Sequence, residues 1–304
     1  MNNFCKAIGI RYPIILGGMA RVGTAPLAAA VSDAGGLGLL GSSAWSASEL
    51  KSQIRRTREL TDKKFGVNMP VHAKHTDELA ETIFEEKISV VSTSAGDPRI
   101  FTSRFKEKGI FVLHVVPTVD FAIKAYEAGV SAVIAEGSES GGMTGQDEIS
   151  TLVLVPLIVD AVTCPVIAAG GIGDGRGLVA ALSLGAVGVQ MGTVFLSAEE
   201  CEVSRAFKEI LIMAKETDTS LVRGDKRSRR ILSEAFFNEA KKIIEKNNPG
   251  IFQSIESSPD AGTRGSGQIV GLIHRIRPAA DIIQEIIKDA NNLLPGIRKN
   301  LPGE

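Results

Sequence analysis

The stretch 165–193, PVIAAGGIGDGRGLVAALSLGAVGVQMGT, leaves this chain few ways to fold. Residues 166–169 are apolar, too short a run for a helix, and end at Gly170-Gly171, the pattern of a buried strand and a glycine turn. Asp174 is placed to cap a helix that runs to about Leu184 and closes at Gly185. Residues 187–190 form a second buried strand, ending at Met191-Gly192-Thr193. Strand, glycine turn, helix and strand make a βαβ unit. Backbone N–H groups in glycine turns at strand ends can approach an anion closely, and a helix N-terminus adds its positive end. A bound phosphate is the expectation. A helix cap and a tight turn without ligand is the competing reading, which the recurrence on successive strands weakens.

The rest of the chain repeats this grammar. Strands are expected over 11–16, 37–40, 65–69, 89–93, 110–116 and 132–135, with helices over 25–34, 47–60, 76–86, 99–108, 119–128 and 152–162. Residues 136–145 read as a long, polar, glycine-rich loop. Eight short strands alternating with helices predict an α/β fold, the (β/α)8 barrel, whose seventh and eighth loops form the usual phosphate site. A doubly wound open sheet would carry a glycine fingerprint after strand one, and Gly17-Gly18-Met19 is not that fingerprint.

After Thr193 the pattern changes. Residues 201–215 and 229–246 read as charged amphipathic helices, 247–265 as loop, and 279–292 as the last barrel helix, with the tail 294–304 frayed. The expected organisation is a barrel from 1–201 and 266–304, with 202–265 as a small helical insertion that serves as a substrate or lid unit.

The chain has 304 residues, 44% of them hydrophobic, enough for one barrel-sized core plus an addition. A net charge of −1 invites neither nucleic acid nor an anionic membrane. The 3 cysteines lie far apart, with neither metal nor disulfide spacing. The N-terminus lacks a signal pattern and no apolar stretch is long enough to span a bilayer, so a soluble cytoplasmic protein is expected. His72, His75 and His274 read as surface residues, and His114 as a hydrogen-bonded core residue near the cofactor end of its strand. A phosphorylated ligand leaves FMN and a sugar phosphate both open, and with the latter a lyase or isomerase.

Several motifs together resemble the nitronate monooxygenase superfamily, and within it most closely the flavin-dependent enoyl-acyl-carrier-protein reductases. They are YPI with GGMA at 12–20, AAAVSDAGGLG at 28–38, FGVN at 65–68, AEGSESGGMTG at 135–145, VIAAGGIGDG at 166–175, QMGT at 190–193 and GSGQIVGL at 265–272. The resemblance implies FMN. Gly18, Met19 and Ala20 would lie beside its ring and Asn68 would hydrogen-bond it. Glu136, where many relatives have Gln, would approach the ribityl chain or ring, and Gly141 would pack on the cofactor. Gly170, Gly171, Gly192 and Thr193 would hold the phosphate, with Gln190 and Met191 alongside. It implies NADH or NADPH as reductant, a small-molecule or acyl-thioester substrate, and leaves room for a monovalent cation and a homodimer.

Two departures stand out. Relatives carry His after the Gly-Gly of the sixth loop, whereas Gly141-Gly142 is followed here by Met143, whose thioether moves no proton. Arg21 replaces an aromatic residue of the enoyl reductases and offers either a fixed cation in the pocket or a solvated loop side chain. Met143, Arg21 and His114 are therefore the candidate catalytic positions. Enoyl reduction is the leading activity and nitronate oxidation the alternative. A flavin-binding protein without catalysis is a further reading, because Met143 stands where the histidine is missing.

Overall fold

A computed structural model of the chain describes residues 2–72, 75–225, 227–248, 251 and 264–300. Its elements, in order, are α1 (Asn3–Ile8), β1 (Ile14–Leu16), α2 (Ala25–Asp33), β2 (Gly38–Gly41), α3 (Ala47–Leu60), β3 (Phe65–Pro70), α4 (Thr76–Glu85), β4 (Val90–Ser94), α5 (Thr102–Glu107), β5 (Phe111–Val116), α6 (Val119–Glu127) and β6 (Ala132–Glu136). They continue with β7 (Gly142–Thr144), α7 (Thr151–Ala161), β8 (Val166–Ala169), α8 (Gly175–Ser183), β9 (Gly188–Met191), α9 (Arg205–Met213), β10 (Thr219–Arg223), β11 (Ser228–Leu232), α10 (Glu234–Asn247) and α11 (Ala279–Asn300).

Eight strands pair in parallel in the order β1-β9-β8-β6-β5-β4-β3-β2, and a parallel bridge between Ile15 and Leu37 joins the two ends. This is the (β/α)8 barrel. Strand residues such as Ile14–Leu16 and Val166–Ala169 are buried throughout, as strands covered on both faces must be, which is why they read as continuous apolar runs. Helix α1 closes the amino end. Its Phe4 stacks edge-on against Phe111 at the start of β5, and Asn2 Nδ2 donates to the Val187 carbonyl just before β9. The carboxyl end stays open. The last helix packs on α8 so closely that a side chain at Gly175 would stand 2.4 Å from the Ala290 nitrogen. Among the described residues no helix is long and apolar enough to cross a membrane.

Three expectations are corrected. Residues 229–246 do not form one helix: 228–232 are β11, and α10 starts after its cap Ser233. The physical reason is pairing. A Gly224 N–H to Arg227 carbonyl bond closes a hairpin with β10, and β11 also pairs antiparallel with β7. The sixth loop is accordingly not wholly irregular, since 142–144 supply that third strand. The tail does not fray after 292, because α11 continues to Asn300 through Pro295. Most of the expected loop 247–265 lies outside the described residues. Residues 202–265 thus hold α9 and α10 together with a hairpin clamped to the sixth loop.

Candidate active site

A cavity of about 870 Å³ opens at the carboxyl ends of the strands, where barrels keep their ligands. Gly18, Met19, Ala20, Asn68, Glu136, Gly141, Gly170, Gly171, Gln190, Met191, Gly192 and Thr193 all line it, as do His114 and Met143. Residues gathered from six different strand ends therefore face one space.

The glycine cradle lies at the ends of β8 and β9. Gly170 (φ 93°) and Gly171 (φ 67°) take left-handed backbone, which side chains other than glycine adopt only with strain. Thr193 is buried, and its Oγ1 accepts the Gly267 N–H at 2.9 Å. Asp174 caps α8 through Oδ1, which accepts from the Arg176 and Gly177 N–H groups at 2.9 and 3.2 Å. That helix end is satisfied by its own side chain, so the cradle's remaining donors are those of the glycine turns.

Across the floor, Asn68 is buried and donates from Nδ2 to the Ser92 carbonyl at 3.2 Å. Its Oδ1 is turned toward Gly18, where an added Cβ would stand 2.5 Å from it. Gly18 is the only residue type that leaves Asn68 this position. Thr144 Oγ1 and Gln190 Oε1 line the cavity, and Ser266 Oγ lies between two lining glycines; all three are buried without a hydrogen-bond partner. Buried polar atoms are ordinarily satisfied, so this cluster points to a polar ligand. A cradle of donors, a floor amide, and unpartnered oxygens between them fit a phosphate-tailed, polyhydroxylated cofactor such as FMN.

Burial pushes the Glu136 carboxyl up to about 7, against the opposing pull of the Ser140 hydroxyl. His114 is buried with Nδ1 2.7 Å from Thr93 Oγ1, and burial pushes it down to about 4 despite Asp97 nearby. It is a neutral imidazole at neutral pH. Arg21 stands outside the cavity: a left-handed turn (φ 60°) leaves it exposed, and its charge is felt by Glu49 at the start of α3. His72, His75 and His274 are exposed, as expected.

Other lining residues escaped the sequence reading. Glu139 accepts from the Thr151 N–H at 3.0 Å and from its Oγ1 at 2.9 Å, locking the sixth loop to the start of α7. The signal was there, since Glu139 lies inside the ESGG motif. Gly265 and Gly267 close the cavity from the far side, so tightly that a side chain at Gly141 would stand 2.5 Å from the Gly267 nitrogen. Arg227 and Arg229 reach in from the hairpin. Their visible signal is the basic run 223–230, which helical spacing obscured.

A family model described as nitronate monooxygenase matches residues 2–89 and 78–289. A probable nitronate monooxygenase of Staphylococcus aureus (strain JH9) is 36% identical, with 72% of this chain and 74% of the relative covered. A (3aS,4S,5R,7aS)-5-hydroxy-7a-methyl-1-oxo-octahydro-1H-indene-4-carboxyl-CoA dehydrogenase of Rhodococcus jostii is 31% identical over 94% of each chain. The solved structure of FabK from Thermotoga maritima superposes with a TM-score of 0.88 at 38% identity, covering 99% of both chains. This chain belongs to the nitronate monooxygenase family and is a flavin-dependent oxidoreductase.

Proposed function

We propose that this chain binds FMN, takes reducing equivalents from NADH or NADPH, and reduces the double bond of an enoyl thioester. The observation that carries the reading is the convergence of the glycine cradle, Asn68 and the unpartnered polar oxygens on one cavity of about 870 Å³. The thioester is supported by the relative that is named for a carboxyl-CoA substrate.

Bound FMN would supply hydride transfer at its ring. Backbone N–H groups of Gly170, Gly171, Gly192 and Thr193 would hold its phosphate, a site that needs no charged side chain. Asn68, oriented by the Nδ2 bond to Ser92 with Oδ1 toward Gly18, would accept from the ring. Gln190 Oε1 and Thr144 Oγ1 are placed for ribityl hydroxyls. Glu136, with a value of about 7, exists in both forms near neutral pH and can accept or donate a hydrogen bond there, which suits an anchor. His114 stays neutral and adds no positive charge beneath the ring. Residues 202–265 would act as the lid over the cavity.

Nitronate oxidation is the second reading, and Met143 favours it. A nitronate is already an anion, so it requires no base at this position. Releasing the cofactor from purified protein and weighing it by mass spectrometry tests the proposal. The mass of FMN is expected; that of FAD, or no flavin, contradicts it.

A further inference from the structure

The cavity carries a second cationic feature that the cofactor reading leaves unused. Arg227 and Arg229, two residues apart on the hairpin, both line it. Arg227 donates to the Ala95 carbonyl at 3.1 Å, lies within hydrogen-bond distance of the His72 ring, and approaches Met143 Sδ at 3.8 Å. None of those partners is a carboxylate, so its charge has no acid against it. Arg229 forms no ion pair and no side-chain hydrogen bond among the described residues. Other arginines of the neighbourhood and of the barrel face carboxylates: Arg223 pairs with Glu148, Arg104 with Asp77 and Glu81, and Arg176 with Asp174.

Position separates this pair from the glycine cradle. Ala95 follows β4 and His72 follows β3, whereas the cradle follows β8 and β9. In the strand order, closed between β1 and β2, β4 lies four places from β9 and β3 four places from β8. Arg227, held by groups that follow β3 and β4, therefore stands across the barrel mouth from the glycine cradle. One phosphate cannot serve both. The acids on the lining do not neutralise the pair either: Glu139 is tied to Thr151, burial leaves Glu136 partly protonated near neutral pH, and Asp147 forms no ion pair with either arginine among the described residues. Guanidinium groups prefer phosphate and carboxylate, which they bind through paired N–H donors.

We propose that Arg227 and Arg229 form a second anion subsite, across the barrel mouth from the cofactor phosphate, that takes the phosphate of the organic co-substrate. The inference rests on the flavin reading only in assigning the glycine cradle to the cofactor. A phosphate of this kind has two sources, a nucleotide reductant or a phosphorylated thioester carrier. The β7–β11 pairing fixes Arg229 opposite Met143, with Arg227 just before the strand, and both line the cavity.

Binding by flavin-loaded protein, measured by calorimetry, tests it. The probes are ADP-ribose for the nucleotide and coenzyme A for the carrier, with adenosine and pantetheine as phosphate-free partners. Arg227→Gln plus Arg229→Gln is expected to weaken whichever phosphate-bearing probe binds wild type by about tenfold or more, and to leave its phosphate-free partner unchanged. Loss confined to ADP-ribose assigns the subsite to the reductant, and loss confined to coenzyme A to the carrier. Each single variant is expected to show part of the loss. Unchanged affinity in the double variant, or no binding of either probe to flavin-loaded wild type, overturns the subsite. Flavin content read by absorbance on the same samples separates that failure from a failure of the cofactor assignment.

Discussion

Met143 stands opposite Arg229 in the β7–β11 ladder, so the residue where relatives carry a histidine shares one face with a cation that reaches the cavity. Met143 is 45% exposed and touches Arg227 through its sulfur. It is thus placed over the ligand space but cannot move a proton. General acid–base assistance is worth ~10²–10⁴-fold in rate. Wild type is therefore expected to turn over neutral nitroalkanes poorly beside their nitronates. Met143→His should raise the rate with the neutral substrate, and its pH midpoint should fall below about 6.5 because two arginines disfavour the imidazolium. Steady-state rates over pH 5–9 with both substrates check this; equal wild-type rates on the two would contradict it.

The cofactor phosphate is the next point of test. A side chain at Gly192 would meet only the flexible end of Met19, 3.4 Å from its sulfur, so Gly192→Asp can be accommodated sterically. The carboxylate would then face the phosphate across a partly desolvated gap, costing several kcal/mol of binding. Flavin content is expected to collapse while the urea midpoint moves little, and Gly192→Ala should retain flavin. Normal flavin in the aspartate variant would move the phosphate site elsewhere.

Gly18 and Asn68 are coupled by contact. A methyl group at Gly18 would stand 2.2 Å from Asn68 Cγ, and Asn68 is buried and bonded to Ser92. Gly18→Ala is expected to displace the amide, lower stability by ~1–3 kcal/mol and weaken flavin binding. Denaturant titration and flavin dissociation, measured together, test it; an unchanged flavin affinity would show that Asn68 does not contact the ring.

Glu136 and His114 should tilt the pH dependence of stability in opposite directions. The native Glu136 keeps its proton to about 7 while the unfolded chain releases it near 4.5, so its favourable contribution is present below 4.5 and is lost as pH rises to 7. The native His114 stays neutral down to about 4 while the unfolded chain protonates near 6.5, so its contribution is present above 6.5 and is lost as pH falls toward 4. Each is worth at most ~3 kcal/mol, and between 4.5 and 6.5 they offset one another. Glu136→Gln is expected to steepen the loss of stability on acidification, and His114→Gln to leave a decline as pH rises. Parallel urea profiles for the two variants would contradict both assignments.

The barrel was legible because its strands are buried on both faces. Val166–Ala169 announces itself as an apolar run, and Gly170-Gly171 after it mark the turn that the sequence assigns to a phosphate. The twelve positions expected to hold a cofactor, from glycine turns and family motifs, all line the cavity. The hairpin was not legible, because Ser228–Leu232 is short, basic and stabilised by pairing with a distant loop. Its strand character depends on Gly142–Thr144, which sequence proximity does not reveal. Of the two readings that the sequence left open for Arg21, its exposure and its place outside the cavity lining agree with the solvated loop side chain.

Anaerobic titration of the purified protein with NADH and NADPH, followed by an enoyl thioester, asks whether the bound flavin carries electrons from nucleotide to thioester. The expected protein is yellow, its flavin absorbance is bleached by at least one of the two nucleotides, and the absorbance returns when the thioester is added. A protein that stays yellow with both nucleotides, or one that is colourless as purified and takes up no FMN, would contradict the proposed function.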